Sequence, residues 1–199
     1  HRRNVGKATR KDVEIVRSDL RPDHVKEFHS IYTSSMERLG ALSLFFFPLE
    51  FFEELIASLE GCVSLFFAMW SGKVISSHLV LHCGPYIHNF LSGSDSAHWN
   101  LKPDVLITYK IALWAKAQGY QYFDLGGGHA VEMDSVFHFK SGFSSNFAPY
   151  YMYRHVHDAE AYTRLCQLKQ EYDARQAPTY GDVPDKDPLL VDYFPAYRA

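Results

Sequence analysis

Three observations predict an α+β fold built on a mixed, largely antiparallel sheet flanked by helices. Three β-rich runs follow one another between residues 63 and 91, separated only by turn signals at Ser71-Gly72 and Gly84-Pro85. Such spacing makes an antiparallel meander. Helical periodicity brackets the meander on both sides. A strand, long loop, helix and strand over residues 86–124 then form a crossover unit, which adds a parallel pair to the same sheet.

Each element has its own signal. Residues 2–11 read as the end of a basic helix, and Val13 to Arg17 alternates as a strand. A helix starts at Asp19 or Arg21-Pro22 and runs to Leu39, with proline in its first turn and Gly40 as its stop. Val25, Phe28, Ile31, Tyr32 and Met36 give its buried stripe. A second helix spans Pro48 to Leu59 and ends at Gly61. Strands follow at Val63–Trp70, Lys73–His82 and Tyr86–Leu91. Lys102-Pro103-Asp104 opens an amphipathic helix that Gly119 stops, and Tyr120–Leu125 is the next strand. A helical turn at 134–140, a last strand at Pro149–Val156 and a helix capped by Asp158 complete the pattern. Residues 1–176 are therefore expected to form the folded domain. The four prolines of 177–199 predict an extended tail.

Bulk properties narrow the class. With 199 residues, 47% hydrophobic and 22% charged, the chain is long and apolar enough for a real core. Its net charge of -3 argues against a nonspecific nucleic-acid binder, yet the charge is uneven. Arg2, Arg3, Lys7, Arg10 and Lys11 precede any acid, leaving 15 basic against 23 acidic residues in 12–199. That basic start suits phosphate contact or a solvated helix face. Cys62, Cys83 and Cys166 form no CxxC pair and fit reduced thiols in a cytoplasmic protein. The longest apolar run, near Ala41 to Phe52, is too short and broken to span a bilayer. His1-Arg2-Arg3-Asn4 reads as mid-sequence, so a fragment of a longer polypeptide is expected.

The chemistry concentrates in residues 120–143, YQYFDLGGGHAVEMDSVFHFKSGF. An aromatic strand ending at Asp124 breaks into Gly126, Gly127 and Gly128, which lets backbone approach a ligand closely. Asp134 follows, and Lys140 is embedded among aromatic residues. This is the composition of a substrate pocket for a transferring or polarised group. Plainer roles stand beside it: Asp134 as a helix cap, Asp124 as a partner of the glycine turn, Lys140 laid along apolar rings. His78 and His82 share one strand face, with His88 on the neighbouring strand, and no metal site is assigned to them.

Several short stretches together resemble the FemAB-like branch of the GNAT acyltransferase superfamily. They are Arg2-Arg3-Asn4 with Lys7-Ala8, Tyr32 to Met36, Arg38-Leu39-Gly40-Ala41, Ser92-Gly93-Ser94, Leu101 to Pro103, Trp114-Ala115, Gly119, FDLGGG at 123–128 and DSVFHFKSGF at 134–143. The resemblance covers roughly residues 2–170 and matches the second of the two GNAT-like halves in peptidoglycan-bridge ligases. It implies a GNAT-like fold and transfer of an acyl or aminoacyl group to a primary amine, with an upstream GNAT-like half as a partner; the alternatives are a coenzyme A-dependent N-acetyltransferase and a non-catalytic half that binds a peptide or completes a two-half enzyme. It implies that Lys140 stabilises the tetrahedral intermediate. Asp124 or Asp134 would orient the amine or accept its proton. Arg38, Tyr32, Tyr86, Ser92, Ser94 and Tyr109 would line the acceptor groove with the three glycines. The activated donor is an aminoacyl-tRNA or an acyl-CoA, with no cofactor otherwise fixed. The acceptor is a small-molecule or peptide amine, and tRNA is a candidate partner. Acetyl-CoA users of the superfamily carry a Q/R-x-x-G-x-G/A loop after the fourth strand. Here that position reads SGSDSAHWNLKPD, so a coenzyme A pyrophosphate is expected to meet Asp95 and Asp104.

Overall fold

A computed structural model describes residues 1–127, 133–149, 151 and 153–175. The chain divides into two compact units, His1–Gly126 and Gly127–Ala199. In the first, the elements are α1 (Arg2–Thr9), β1 (Glu14–Arg17), α2 (Pro22–Leu39), α3 (Leu49–Ser58), β2 (Val63–Trp70), β3 (Lys73–Cys83), β4 (Tyr86–Ser94), α4 (Pro103–Ala117) and β5 (Tyr122–Asp124). Short 3-10 turns at Ser43–Phe45 and Ser96–Leu101 lie in the loops before α3 and α4. The second unit holds α5 (Ser135–Ser141) and α6 (Ala159–Arg175). The tail expected at 177–199 and Gly128 lie outside the described residues.

The five strands follow chain order, β1-β2-β3-β4-β5. The first three pairings are antiparallel and β4–β5 is parallel. The mixed α+β sheet expected from the meander and the crossover is therefore present. Strand β2 explains its unbroken apolar run by being covered on both faces. Val63, Leu65 and Phe67 join Phe28, Tyr32 and Phe52 under α2 and α3. Phe66 and Ala68 join Val80, Leu106, Ile107 and Ile111 under α4. Fully burying one such side chain contributes roughly 1.5–3 kcal/mol, so two full layers outweigh any surface pairing.

Helix α2 seats directly on β4. A Cβ at Gly93 would lie 2.7–2.8 Å from the Ile31 carbonyl and the Tyr32 Cα, all of it backbone. Only glycine allows that approach. Beside it the Ser35 hydroxyl accepts the Ser94 N–H at 2.9 Å. Gly93, expected in a loop after the strand, is thus a strand residue that receives a helix, and β4 extends through Ser94.

The strand expected at 149–156 is not formed by its described residues, which are irregular. Tyr151 and Tyr153 are 83% and 90% exposed. Tyrosine-rich composition favours a strand only where a ladder and a packed face exist to receive it.

Candidate functional site

Strands β4 and β5 pair over three rungs only: Tyr86 with Tyr122, Ile87 with Phe123 and His88 with Asp124. Beyond the last rung β4 continues to Ser94, and no strand among the described residues pairs with it on that side. Strand β5 stops at Asp124, so beyond His88 the outward-facing peptide groups of β4 have no ladder partner among the described residues. Asn89 and Leu91 pair with consecutive β3 residues, Val80 and Leu79. Phe90 is the extra residue of a β-bulge just past the last β4–β5 rung. Bulges re-aim side chains and interrupt pairing, and they recur beside active sites.

Asp124 closes β5 at that rung. Its Oδ2 lies 2.8 Å from His88 Nδ1, and its Oδ1 accepts the Gly126 N–H at 2.8 Å. Gly126 has φ +71°, the left-handed backbone that glycine adopts without penalty. Sequence reasoning selected Asp124 but not His88. The two are 36 residues apart, and only the β4–β5 register brings them together.

Helix α4 begins next to the end of β4, and its first turn has no side-chain cap. Pro103 at the start has no N–H to lose, while the following amides keep theirs. The acids expected to oppose a pyrophosphate here are otherwise engaged. Asp104 Oδ1 accepts the Ser76 hydroxyl of β3 at 2.8 Å and faces the buried His78 Nε2 at 3.8 Å. His78 Nδ1 is held by Asn89 at 3.0 Å. The Asp95 carboxylate accepts the Ala97 N–H at 2.9 Å and contacts His98 Nδ1 at 2.7 Å. The Ala97 amide first, then His98, hold the Asp95 carboxyl below its ordinary value.

A polar pocket of about 250 Å³ lies against α2, lined by Glu27, Ser30, Ser34, Arg38, Ser94 and Asp95 among others. The Arg38 guanidinium stacks 4.4 Å from the Trp99 ring centroid, and the Trp99 N–H donates to Ser94 Oγ at 3.0 Å. Cation–π contact orients the guanidinium without using its hydrogen-bond donors. No carboxylate pairs with Arg38 among the described residues.

The other expected groove residues are scattered. Tyr32 is buried, donates its hydroxyl to the Phe45 carbonyl at 2.7 Å and has its pKa pushed up to about 12 by burial. Tyr86 is exposed and stacks on Tyr122 at 5.0 Å. Ser92 is exposed on β4 opposite His78. Tyr109 is exposed on α4. Missed by sequence reasoning is a buried-edge relay in which His82 joins Ser64 at 3.2 Å to Tyr120 at 2.9 Å.

In the second unit, Asp134 caps α5, accepting the Phe137 N–H at 2.7 Å. Lys140 donates to the Gly127 carbonyl at 2.6 Å, so the lysine and the glycine run meet as neighbours.

The chain belongs to the Acetyltransferase (GNAT) domain family, which matches residues 1–141 and so takes in Lys140. No curated protein is a significant match by sequence. The fold is similar to that of an aminoglycoside acetyltransferase from an uncultured soil metagenomic sample. That match has a TM-score of 0.56 and 11% identity, over 73% of this chain and 99% of that one. It is similar to FemX, with a TM-score of 0.60 and 15% identity over 71% of this chain and 51% of FemX. It is also similar to a ribosomal-protein-alanine N-acetyltransferase from Brucella melitensis biovar Abortus 2308. There the TM-score is 0.54 at 15% identity, over 72% of this chain and 99% of that one. At these identities the likeness shows a shared fold. No helix among the described residues is long and apolar enough to cross a membrane.

Proposed function

We propose that the protein transfers an acyl group from a coenzyme A thioester to a primary amine. The observation that carries this reading is the end of the β4–β5 pairing at His88 and Asp124, which leaves the outer edge of β4 without a strand partner beside the uncapped start of α4. An extended, amide-bearing chain suits the open edge of β4, where backbone N–H and C=O groups are available to it. Its diphosphate suits the first-turn amides of α4 and the Lys102 cation at the cap position. Asp104 and Asp95 keep their negative charge, and the protein donors that hold them, the Ser76 hydroxyl and the Ala97 amide, lessen the electrostatic objection raised by the loop sequence without removing it. GNAT acetyltransferases use acyl-CoA as donor, and the family assignment supports the same donor here.

The Arg38 pocket suits the carboxylate of a small-molecule or peptide acceptor, since a free guanidinium fork binds carboxylates in two-point fashion. The family resemblance in sequence keeps Lys140 as the proposed cation for the oxyanion formed during transfer. The reaction consumes an ammonium and a thioester and yields an amide, a thiol and one proton.

A melting-temperature titration with acetyl-CoA tests the reading. A ligand bound at a hundred times its Kd stabilises the fold by about 2.7 kcal/mol. An unmoved transition at millimolar acetyl-CoA would remove coenzyme A as donor.

A second reading is favoured by FemX, of which this chain spans about half. In it the domain is one of two GNAT-like halves and takes an aminoacyl group from tRNA. A transition raised by charged tRNA but not by acetyl-CoA would select it.

A further inference from the structure

We propose that His88 is the base that takes the acceptor's proton and that Asp124 is the residue that positions it. This assignment rests on the acyltransferase reading above. His88 and Asp124 form the last rung of the β4–β5 pairing, so the imidazole stands where the unpaired outer edge of β4 begins. Any acyl chain laid along the open edge of β4 has its inner end at this rung. Phe90, the bulged residue, lies against the ring with centroids 6.3 Å apart.

The hydrogen bonding fixes the ring for this task. The Asp124 carboxylate is held at both oxygens, by His88 Nδ1 and by the Gly126 N–H, each at 2.8 Å. A carboxylate accepts, so it selects the imidazole tautomer protonated at Nδ1. The lone pair is then on Nε2, which has no partner among the described residues. The His88 side chain is 41% exposed and the Asp124 side chain 64%. An ion pair this exposed adds little to stability. Two contacts on one exposed carboxylate aim a ring far better than they hold a fold. On the other side of β4 the ring's register partner is Leu81 of β3, which offers no competing charge.

The step balances. The acceptor arrives as an ammonium, gives one proton to Nε2, and the imidazolium passes it to solvent. The freed lone pair forms the C–N bond at the thioester carbonyl. As the C–S bond breaks, the second amine proton leaves through the same nitrogen to the departing thiolate. Placing such a base is worth roughly 10²–10⁴ in rate.

The test uses the full chain, acetyl-CoA and a primary amine, with thiol release as the signal. His88→Ala is expected to lower kcat about a hundredfold, with acetyl-CoA affinity and Tm unchanged, and added imidazole is expected to restore part of the rate. Asp124→Asn is expected to lower kcat less and to mix the two imidazole tautomers, read from the ring nitrogens by ¹⁵N NMR without turnover. His88→Ala keeping the wild-type kcat overturns the assignment, and an unmixed tautomer in Asp124→Asn overturns the positioning role. Wild-type protein that releases no thiol with any amine sinks the acyltransferase reading and this assignment with it. Thiol release that survives in His88→Ala sinks the assignment alone.

Discussion

The Ser76 hydroxyl donates to the Asp104 carboxylate across 2.8 Å, tying the centre of β3 to the first turn of α4. That bond turns an acid away from a helix start that the proposed donor needs. Ser76 is fully buried, and a hydrogen bond to a charged group typically contributes about 1.5–3 kcal/mol. Ser76→Ala is expected to lose stability in that range by urea unfolding. It is also expected to weaken acetyl-CoA binding by calorimetry, because the released carboxylate can swing toward the diphosphate. Unchanged binding would mean that Asp104 is held by other contacts.

Arg38 offers a sharper test of acceptor chemistry. Arg38→Ala is expected to raise KM about 10- to 100-fold for amines that carry a carboxylate, since charged hydrogen bonds are worth about 1.5–3 kcal/mol. The KM of an amine without that group is expected to stay put. A uniform rise across both kinds of amine would assign Arg38 to packing on Trp99 instead.

Lys140 is expected to act on turnover rather than on binding. Removing one oxyanion donor typically costs about 10²–10³ in kcat. Lys140→Ala should therefore bind acetyl-CoA normally and turn over slowly. A changed affinity with normal kcat would give Lys140 a purely structural place, as the donor to the Gly127 carbonyl.

His82 predicts an acid-side loss of stability. Burial first, then the Arg17 cation, hold its pKa below the ordinary histidine value. A base with a lowered folded-state pKa stabilises the fold fully above the unfolded value, near 6.5. That contribution fades as pH falls toward the folded-state value, because the unfolded chain takes up its proton first. Urea midpoints should therefore drop between pH 7 and pH 5. His82→Gln should flatten the drop, and an equal slope in the variant would place its origin elsewhere.

Much of the fold was legible because its signals are local. Gly40 ends α2 in the left-handed conformation, and Ser71-Gly72 turns between β2 and β3 with φ of +49° and +76°. The double-faced apolar run of β2 announced a covered central strand. What escaped was set by pairing. The β-bulge at Phe90 depends on register, as does the meeting of His88 with Asp124. Nothing in SGSDSAHWNLKPD shows that Asp104 turns back toward a serine 28 positions earlier. Tyr151 and Tyr153 carried strand propensity but join no ladder among the described residues.

The contact at Gly93 has a further consequence for catalysis. With backbone touching backbone at Gly93, α2 and β4 have no side chain between them at that point, and any larger residue there would push the two apart. Arg38 on α2 and Ser94 on β4 line one pocket, so such a change is expected to reshape the recess that both elements build.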